Sequence, residues 1–270
     1  MDGAPPHGQD DAIIALESVS KAYGADDAEQ RTVLRDVTLR IPARQFLAIV
    51  GPSGSGKTTL LRLINRLADP SRGTVRVDGR DVRSVDPILL RRQIGYVFQG
   101  VGLFPHMTVA ENIAITPRLL GHDRQRLNAR VNELIELVRL DAATYRDRFP
   151  HQLSGGERQR IGVARAIAAN PHIVLMDEPF GALDPLTREG LSADYHRLHD
   201  TLGLTTVMIT HDMVEAVLLA DRIAVLREGR LIAQGTPPVL LHEENDPFVK
   251  ALMQTPYRYA ERLSALMASR

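Results

Sequence analysis

The sequence lacks cysteine, net charge, long apolar runs and a secretion signal, and each absence excludes something. Without cysteine among its 270 residues there is no disulfide and no thiolate metal site, which suits a cytosolic protein. Lysine plus arginine and aspartate plus glutamate both number 33, so there is no overall basic charge to bind nucleic acid. No apolar run approaches the roughly 18 residues of a membrane span. The first residues also lack the layout of a signal peptide, so we expect any membrane role to go through partners.

A complete phosphate-binding loop stands at residues 51–58, where the sequence reads G-P-S-G-S-G-K-T. It matches every fixed position of G-x-x-x-x-G-K-[ST] and lies between an apolar run and an amphipathic run, as a strand–loop–helix motif requires. Glycine lets backbone N–H groups point at phosphate oxygens, and the helix N-terminus adds partial positive charge. We expect Lys57 to contact the β- and γ-phosphates of a nucleoside triphosphate and Thr58 to ligate Mg²⁺. The predicted nucleotide contacts of this segment are Gly51, Pro52, Ser53, Gly54, Ser55, Gly56, Lys57, Thr58 and Thr59.

Two adjacent carboxylates end a buried strand predicted from residue 173 onwards. Ligands of parallel sheets bind beyond the carboxyl ends of the strands, where Asp177 and Glu178 would lie. Neighbouring strand residues face opposite sides, so both can address one ligand only if the chain turns, which Pro179 favours. We expect Asp177 to be an outer or water-mediated partner of Mg²⁺ and Glu178 a general base; the alternative is two solvated acids. His211 follows another buried strand at 205–210, and there we allow a γ-phosphate contact.

Helical patterns predominate between about residues 100 and 170, which predicts a helical insertion into an α/β core. Thr108 and Glu111 have the spacing of a capping box at the start of one helix, and residues 127–140 carry apolar side chains on one face. Ser154 and Glu157 repeat the capping-box spacing at the start of the last helix. The two glycines between them disfavour a helix but let an anion approach its N–H groups, so from the residues alone capping and anion binding stay equally open.

The outer parts of the chain predict further strands and a helical tail. Strands at 13–19 and 37–41 flank a polar loop that begins at Ser20. Tyr23 in this loop is either a platform for a purine ring or an ordinary surface tyrosine. Short strands near 223–226 and 231–233 predict a hairpin. We expect a disordered lead at 1–10, one domain over 11–245 and a helical tail over 246–270.

Taken in this order, the motifs resemble those of the ATP-binding subunit of ABC transporters over nearly all of residues 11–250. Residues 51–58 match the Walker A loop, 173–178 Walker B, 181–184 the D-loop, and 153–157 all but the last position of the family signature. Gln99 stands at the Q-loop position, His211 at the switch histidine and Tyr23 at the adenine-stacking A-loop. The resemblance implies an α/β fold: a P-loop NTPase core with a mixed sheet, an antiparallel β subdomain and a helical insertion.

The same resemblance implies an ATPase that uses Mg²⁺, and it assigns roles to residues of this sequence. Two chains pair head to tail in the family, so that each ATP lies between the phosphate loop of one and the signature of the other. The implied catalytic residues are Glu178, His211 and Lys57; further nucleotide contacts are Tyr23, Gln99, Ser154, Gly155, Gly156 and Asp184; metal contacts are Thr58, Gln99 and Asp177.

Glu157 departs from the family pattern, which has glutamine as the last residue of the signature. A glutamate still completes the capping box, so the helix should begin normally. Its negative charge would weaken the capture of ATP if the carboxylate faced the nucleotide. We expect the carboxylate to face away.

Stretches between the motifs are similar to the importers of quaternary-amine osmoprotectants such as glycine betaine, choline and carnitine; they are residues 63–67, 94–99, 102–113 and 177–185. This similarity implies a location at the cytoplasmic face of the inner membrane. The implied partners are a second ATPase subunit in a homodimer, permease subunits in the membrane and, indirectly, an extracytoplasmic solute-binding protein, but no nucleic acid. Many members of the branch carry paired CBS domains after the ATPase; too few residues follow here, so we expect none.

Other functions share these motifs. An importer ATPase for another small polar solute, such as an amino acid, stays open, as does a non-transport ABC ATPase. The latter would normally need a long coiled coil, a zinc insertion or a second cassette, and the sequence has no heptads, no cysteine and one phosphate loop. After Gln99, Leu103 and Phe104 either offer apolar surface to a permease helix or belong to the core; both readings have equal weight.

Overall fold

Two β-sheets form the framework of the molecule in a computed structural model, which describes residues 12–24, 31–100, 102–242 and 246–268. The lead predicted at residues 1–10 lies outside the described residues. The strands are β1 (Ala12–Tyr23), β2 (Arg31–Pro42), β3 (Phe46–Val50), β4 (Arg72–Val77), β5 (Arg80–Asp81), β6 (Ile94–Val97), β7 (Ile173–Asp177), β8 (Thr205–Ile209), β9 (Arg222–Arg227) and β10 (Arg230–Gly235).

The first sheet is antiparallel, in the order β2-β1-β4-β5. Its strand β1 continues to Tyr23, so the polar loop predicted from Ser20 onwards is wrong. Lys21, Ala22 and Tyr23 pair with the beginning of β2, which starts at residue 31 rather than 37. These backbone partners lie on the neighbouring strand, so residues with weak strand patterning are held in the sheet by hydrogen bonds that local sequence does not reveal.

The second sheet is mixed, in the order β10-β9-β3-β8-β7-β6. Its pairs are parallel except for the hairpin of β9 and β10, which is antiparallel. Every residue of β3, β7 and β8 is buried, as is typical of central parallel strands with both faces covered. The carboxyl ends of these three strands lie side by side, because Asp177 pairs with Ile209 and Ile49 also pairs with Ile209.

The helices are α1 (Lys57–Ile64), α2 (Pro87–Gln93), α3 (Val109–Leu119), α4 (Arg124–Leu137), α5 (Ala142–Tyr145), α6 (Gly155–Ile167), α7 (Pro185–Leu202), α8 (Met213–Leu219), α9 (Pro237–His242) and α10 (Pro247–Ala268). Helices α3 to α6 form the predicted helical insertion, and the capping box of Thr108 and Glu111 begins α3. Helix α4 lies three residues earlier than predicted. Asp123 caps its start, accepting from two backbone N–H groups at 3.0 and 2.9 Å, and Arg139 follows its end with φ 59°.

The core lies on both faces of the mixed sheet, and strand periodicity decides which residue faces which side. Phe46, Ala48 and Val50 point into one cluster, with the helical insertion and α7. Leu47 and Ile49 point into the other, with α1 and the antiparallel sheet. The mixed sheet, the antiparallel sheet and the helical insertion confirm the predicted fold class. Packing on both faces holds the carboxyl ends of the central strands in place for the site described next.

Candidate nucleotide site

The phosphate loop leaves β3 and enters α1 with its glycines in conformations that only glycine adopts readily. Gly51 has φ 147°, and a Cβ there would lie 1.9 Å from the carbonyl oxygen of Leu226. Gly56, with φ 103°, precedes α1, and a Cβ there would lie 2.6 Å from Leu34 Cδ2. No side chain caps the first turn of α1 within the described structure. The start of this helix is therefore available to an anion, which is what phosphate binding requires.

Lys57 is the first residue of α1, and its ammonium group returns to the loop. Nζ donates to the carbonyl oxygens of Gly51 at 2.8 Å and Pro52 at 3.0 Å. The side chain is largely buried, and this burial lowers the pKa of Lys57, while the charge of Glu178 opposes the shift. The cation is thus placed beside the loop that would hold the phosphates.

Asp177, at the end of β7, lies against the phosphate loop. Its Oδ1 accepts a hydrogen bond of 3.2 Å from the Thr58 hydroxyl. Burial raises the pKa of Asp177, so its carboxylate lacks full compensation for lost hydration. A hydroxyl beside an incompletely compensated carboxylate fits Mg²⁺, which prefers oxygen ligands and keeps several waters. No group of three or more His, Cys, Asp or Glu side chains that could hold a metal ion occurs within the described residues.

Glu178 turns the chain at the end of β7. It has φ 48°, in the left-handed region, so the turn needed to bring both carboxylates to one site occurs at Glu178 itself. Its Oε2 accepts a hydrogen bond of 3.1 Å from Gln99 Nε2 and lies 3.5 Å from His211 Nδ1. A left-handed non-glycine residue costs about 1–3 kcal/mol and is concentrated at functional sites. The conformation groups three predicted site residues that come from three separate strand ends.

A cavity of about 300 Å³ opens above the phosphate loop. Arg31 and Val33 of β2, which the sequence did not single out, line it together with Glu178. Tyr23 pairs with Arg31 across the two strands and is 42% exposed, so the predicted base platform lies at this end of the sheet. The remaining lining residues are Ser53, Gly54, Gly56, Lys57, Thr58 and Thr59.

The glycine-rich segment at 154–156 begins α6 and lies apart from this cavity: none of the three is among the described residues that line it. The capping box is present, with Ser154 Oγ accepting from Glu157 N at 3.2 Å and Glu157 Oε2 accepting from Ser154 N at 2.7 Å. A Cβ on Gly156 would lie 2.6 Å from Thr187 Cγ2. Gly156 therefore has a packing role against α7 that the sequence did not reveal, while Gly155 is exposed and has ordinary contacts.

Comparison with known proteins places this geometry in a family. A family profile described as ABC transporter matches residues 34–181, which is more than half of the chain. The chain belongs to the ABC transporter family. The match begins in β2 and ends in the segment after β7, so it includes the whole phosphate loop, the helical insertion and both carboxylates.

Two curated relatives from Bacillus subtilis are similar over most of the chain. The choline transport ATP-binding protein OpuBA is 45% identical over 94% of the chain and 67% of its own length. The glycine betaine/carnitine/choline transport ATP-binding protein OpuCA is 46% identical over 88% of the chain and 61% of its own length. The chain thus spans about three fifths to two thirds of these relatives. Among solved structures, the dimeric ATP-binding cassette MJ0796 bound to ADP and Pi has a TM-score of 0.75 and 34% identity, covering 83% of this chain and 98% of that one.

In the chain itself, Arg188 of α7, which sequence reasoning missed, joins the segment after β7 to the start of α8. Its guanidinium donates to the carbonyl oxygens of Gly181 at 3.3 Å and Leu183 at 3.1 Å, and to the Asp212 carboxylate at 3.1 Å. The buried carboxylate of Glu215 lies 3.8 Å away. An arginine soon after residues 181–184 is the signal that could have found the two carbonyl contacts, whereas Asp212, which caps α8, and Glu215 of α8 are more distant in sequence.

Asp184, like residues 154–156, lies apart from the phosphate loop's cavity. Its side chain caps α7 by accepting from Thr187 N at 3.1 Å, and it is exposed. It does not line the cavity above the phosphate loop. Within this chain its described role is to start a helix, and its nucleotide contact stays a prediction.

The described helices include none that is both long enough and apolar enough to cross a membrane.

Proposed function

We propose that this chain is the ATP-hydrolysing subunit of an ABC importer whose cargo is a quaternary-amine osmoprotectant such as glycine betaine, choline or carnitine. The observation that carries the ATPase half is the grouping of Gln99, Glu178 and His211 within hydrogen-bonding reach beside the phosphate loop. The similarity to OpuBA, a choline transport ATP-binding protein, and to OpuCA, a glycine betaine/carnitine/choline transport ATP-binding protein, supports the cargo.

In the proposed reaction, Lys57 and the N-terminus of α1 bind the phosphates of ATP. Thr58 and Asp177 would hold Mg²⁺, which supplies charge neutralisation as the terminal phosphate leaves. Glu178 takes the proton of the attacking water, and His211 orients the carboxylate and the γ-phosphate. Gln99 completes the group with Glu178 and His211, because its side-chain amide donates to the Glu178 carboxylate.

The signature completes the site only from a second chain in this proposal. Ser154 and Gly155 are exposed and absent from the lining of their own chain's cavity, which supports a head-to-tail pair. We propose that MgATP joins Lys57 of one copy to residues 154–156 of the other. The dimeric cassette MJ0796 is a precedent for pairing in a chain of this fold.

The Glu178→Gln variant tests the composite site. Positioned general-base catalysis contributes about 10²–10⁴-fold, so ATP turnover should fall by that range while binding is retained. With saturating MgATP the variant should accumulate as a dimer on a sizing column, whereas the wild type should return to monomer as it hydrolyses ATP. A variant that stays monomeric would contradict the composite site.

A groove of about 450 Å³ beside Gln99 is the proposed permease-binding surface. Phe104 is 39% exposed and lines the groove, while Leu103 is half-buried and packs against the core. Of the two alternatives left open by the sequence, exposed apolar surface therefore fits Phe104 and a core position fits Leu103. Other apolar lining residues are Leu67, Ile94, Tyr96, Phe98, Ile115, Leu119 and Ala166. A short permease helix would bury this surface, so the complex would sit at the cytoplasmic face of the membrane.

Phe104→Ala tests the groove in the assembled transporter. Transport should fall strongly while the ATPase activity of the isolated subunit stays near the wild-type value. Leu103→Ala is the matched control, because loss of a core side chain should reduce both activities together. Equal loss of both activities in Phe104→Ala would place that residue in the core instead.

Uptake of labelled glycine betaine, choline and carnitine in cells without other importers tests the cargo. Wild type is compared with Lys57→Ala, and an extracytoplasmic solute-binding protein is expected to be required as well. Uptake of at least one compound that depends on Lys57 would support the assignment. Unchanged uptake of all three compounds in Lys57→Ala would rule out the osmoprotectant as cargo and leave the ATPase proposal in place.

A further inference from the structure

Glu157, the residue that departs from the family signature, uses both of its carboxylate oxygens within the chain. Oε2 accepts the backbone N–H of Ser154 at 2.7 Å, and Oε1 accepts the hydroxyl of Tyr145 at 2.5 Å. Tyr145 is the last residue of α5 and packs against the core of the helical insertion. The Arg148 guanidinium lies 4.5 Å from the centre of the Tyr145 ring. The orientation of the carboxylate is therefore set by two different elements.

The electrostatics of this contact agree with the geometry. The Tyr145 hydroxyl is the main cause that lowers the pKa of Glu157, with the Ser154 contacts and Arg148 acting in the same direction. The same hydrogen bond raises the pKa of Tyr145. The carboxylate thus stays ionised and the tyrosine stays a donor under neutral conditions. A full negative charge lies within one turn of the helix end that would face a phosphate.

The position of that charge matters because Ser154 and Gly155 are exposed while Glu157 is half-buried. A glutamate without a second anchor could rotate toward the exposed face and repel an approaching anion. A glutamine would not, since it carries no charge. It could accept from Ser154 through its carbonyl and donate its amide to the Tyr145 oxygen.

We propose that Tyr145 is a positioning residue that holds the Glu157 carboxylate away from the face of the signature that receives the partner's ATP. The inference rests on the composite site proposed above. It explains how a glutamate can occupy this position without loss of ATP capture, and it makes the role of Tyr145 depend on the charge at residue 157.

A double-mutant cycle in the Glu178→Gln chain tests this dependence. The measurement is the MgATP concentration that gives half-maximal dimer by light scattering. Tyr145→Phe should raise this concentration about tenfold when residue 157 is glutamate, the scale expected for loss of a hydrogen bond to a charged group. In the Glu157→Gln background the same change should have an effect of about twofold or less. Tyr259→Phe, at a 65% exposed position of α10, is the matched control and should change nothing.

Salt dependence provides a readout that a purely structural role would not change. The screening length falls from about 10 Å at 0.1 M to about 3 Å at 1 M salt. The ratio between Tyr145→Phe and its parent should therefore shrink at the higher concentration. Thermal unfolding of each variant checks that the fold is retained.

Three outcomes would overturn a proposal. An equal effect of Tyr145→Phe in both backgrounds would mean that Tyr145 stabilises the fold and does not orient the Glu157 carboxylate. No effect in either background would mean that Glu157 is oriented without it. If the Glu178→Gln parent forms no dimer with MgATP, the composite site itself fails, and this inference fails with it.

Discussion

The phosphate loop and the signature both place glycines at the start of a helix, and they use them for different purposes. In the loop, Gly51 and Gly56 have positive φ values and approach other residues closely, and α1 has no side-chain cap. In the signature, the N-terminus of α6 is already capped by Ser154 and Glu157. The N-terminus of α1 is therefore available to a ligand bound by its own chain. At the N-terminus of α6, the capping box uses the N–H groups of Ser154 and Glu157, and Ser154 and Gly155 are exposed.

This difference separates two requirements of the proposed reaction. The phosphate loop carries the charged groups and lies beside the carboxylates, so binding and chemistry belong to one chain. The signature needs only to be stable and exposed until a nucleotide arrives on a partner. Variants in the two regions should therefore fail in different ways.

The largest effect is expected for Lys57→Ala in the phosphate loop. Removal of the ammonium should weaken MgATP binding and turnover by about 10²-fold or more, the scale for loss of one electrostatic contact in an active site. Nucleotide binding is measured by equilibrium dialysis and turnover by phosphate release. Lys250→Ala, on α10, is the control and should bind as the wild type does. Wild-type affinity in Lys57→Ala would remove the loop from the proposed site.

A smaller effect is expected for the signature glycines, and it should appear in stability. Gly156→Ala should lower the free energy of unfolding by about 1–3 kcal/mol, because its Cβ would overlap the Thr187 methyl group. Gly155→Ala should not lower it, because the nearest atom lies 3.8 Å from its Cβ. Urea unfolding measures both, and Thr187→Ala should restore Gly156→Ala. Equal losses in the two variants would mean that packing against α7 does not distinguish them.

The smallest effect concerns Asp177 and the pH. Burial raises its pKa in the folded chain, so the ionised carboxylate destabilises the fold above the ordinary pKa of aspartate. Asp177→Asn should therefore increase the free energy of unfolding without nucleotide at about pH 7, and the gain should shrink toward about pH 4. Urea unfolding at several pH values checks this. Asp147→Asn, at an 86% exposed carboxylate, should show no such gain, and a loss of stability in Asp177→Asn would contradict the argument.

Local patterns predicted much of the molecule. The apolar runs of β3, β7 and β8, the strand–loop–helix around residues 51–58 and both capping boxes follow from a few neighbouring residues, and the structure contains them all. The capping boxes are closed by neighbouring residues, and the buried strands, although their partners are distant, are marked by continuous apolar runs. That is why sequence alone was sufficient.

Features that depend on distant partners were missed. The last residues of β1 are strand because β2 pairs with them, and Arg31 reaches the cavity only through that pairing. The packing of Gly156 on Thr187 and the contacts of Arg188 join helices that sequence cannot place next to each other. The left-handed conformation of Glu178 opposes local preference, so only the surrounding fold can impose it.

The two carbonyl contacts of Lys57 bear on how the site tells nucleotides apart. Nζ has three N–H donors and gives two of them to the carbonyls of Gly51 and Pro52, so in the proposed reaction a phosphate would compete with these carbonyls as well as accept from the third. The net gain is then a difference between two sets of hydrogen bonds, and it grows with the negative charge of the incoming group. The gain in binding free energy should therefore be larger for a triphosphate than for a diphosphate. In the proposed reaction the same carbonyls would receive the lysine again when the terminal phosphate departs, which would help product release.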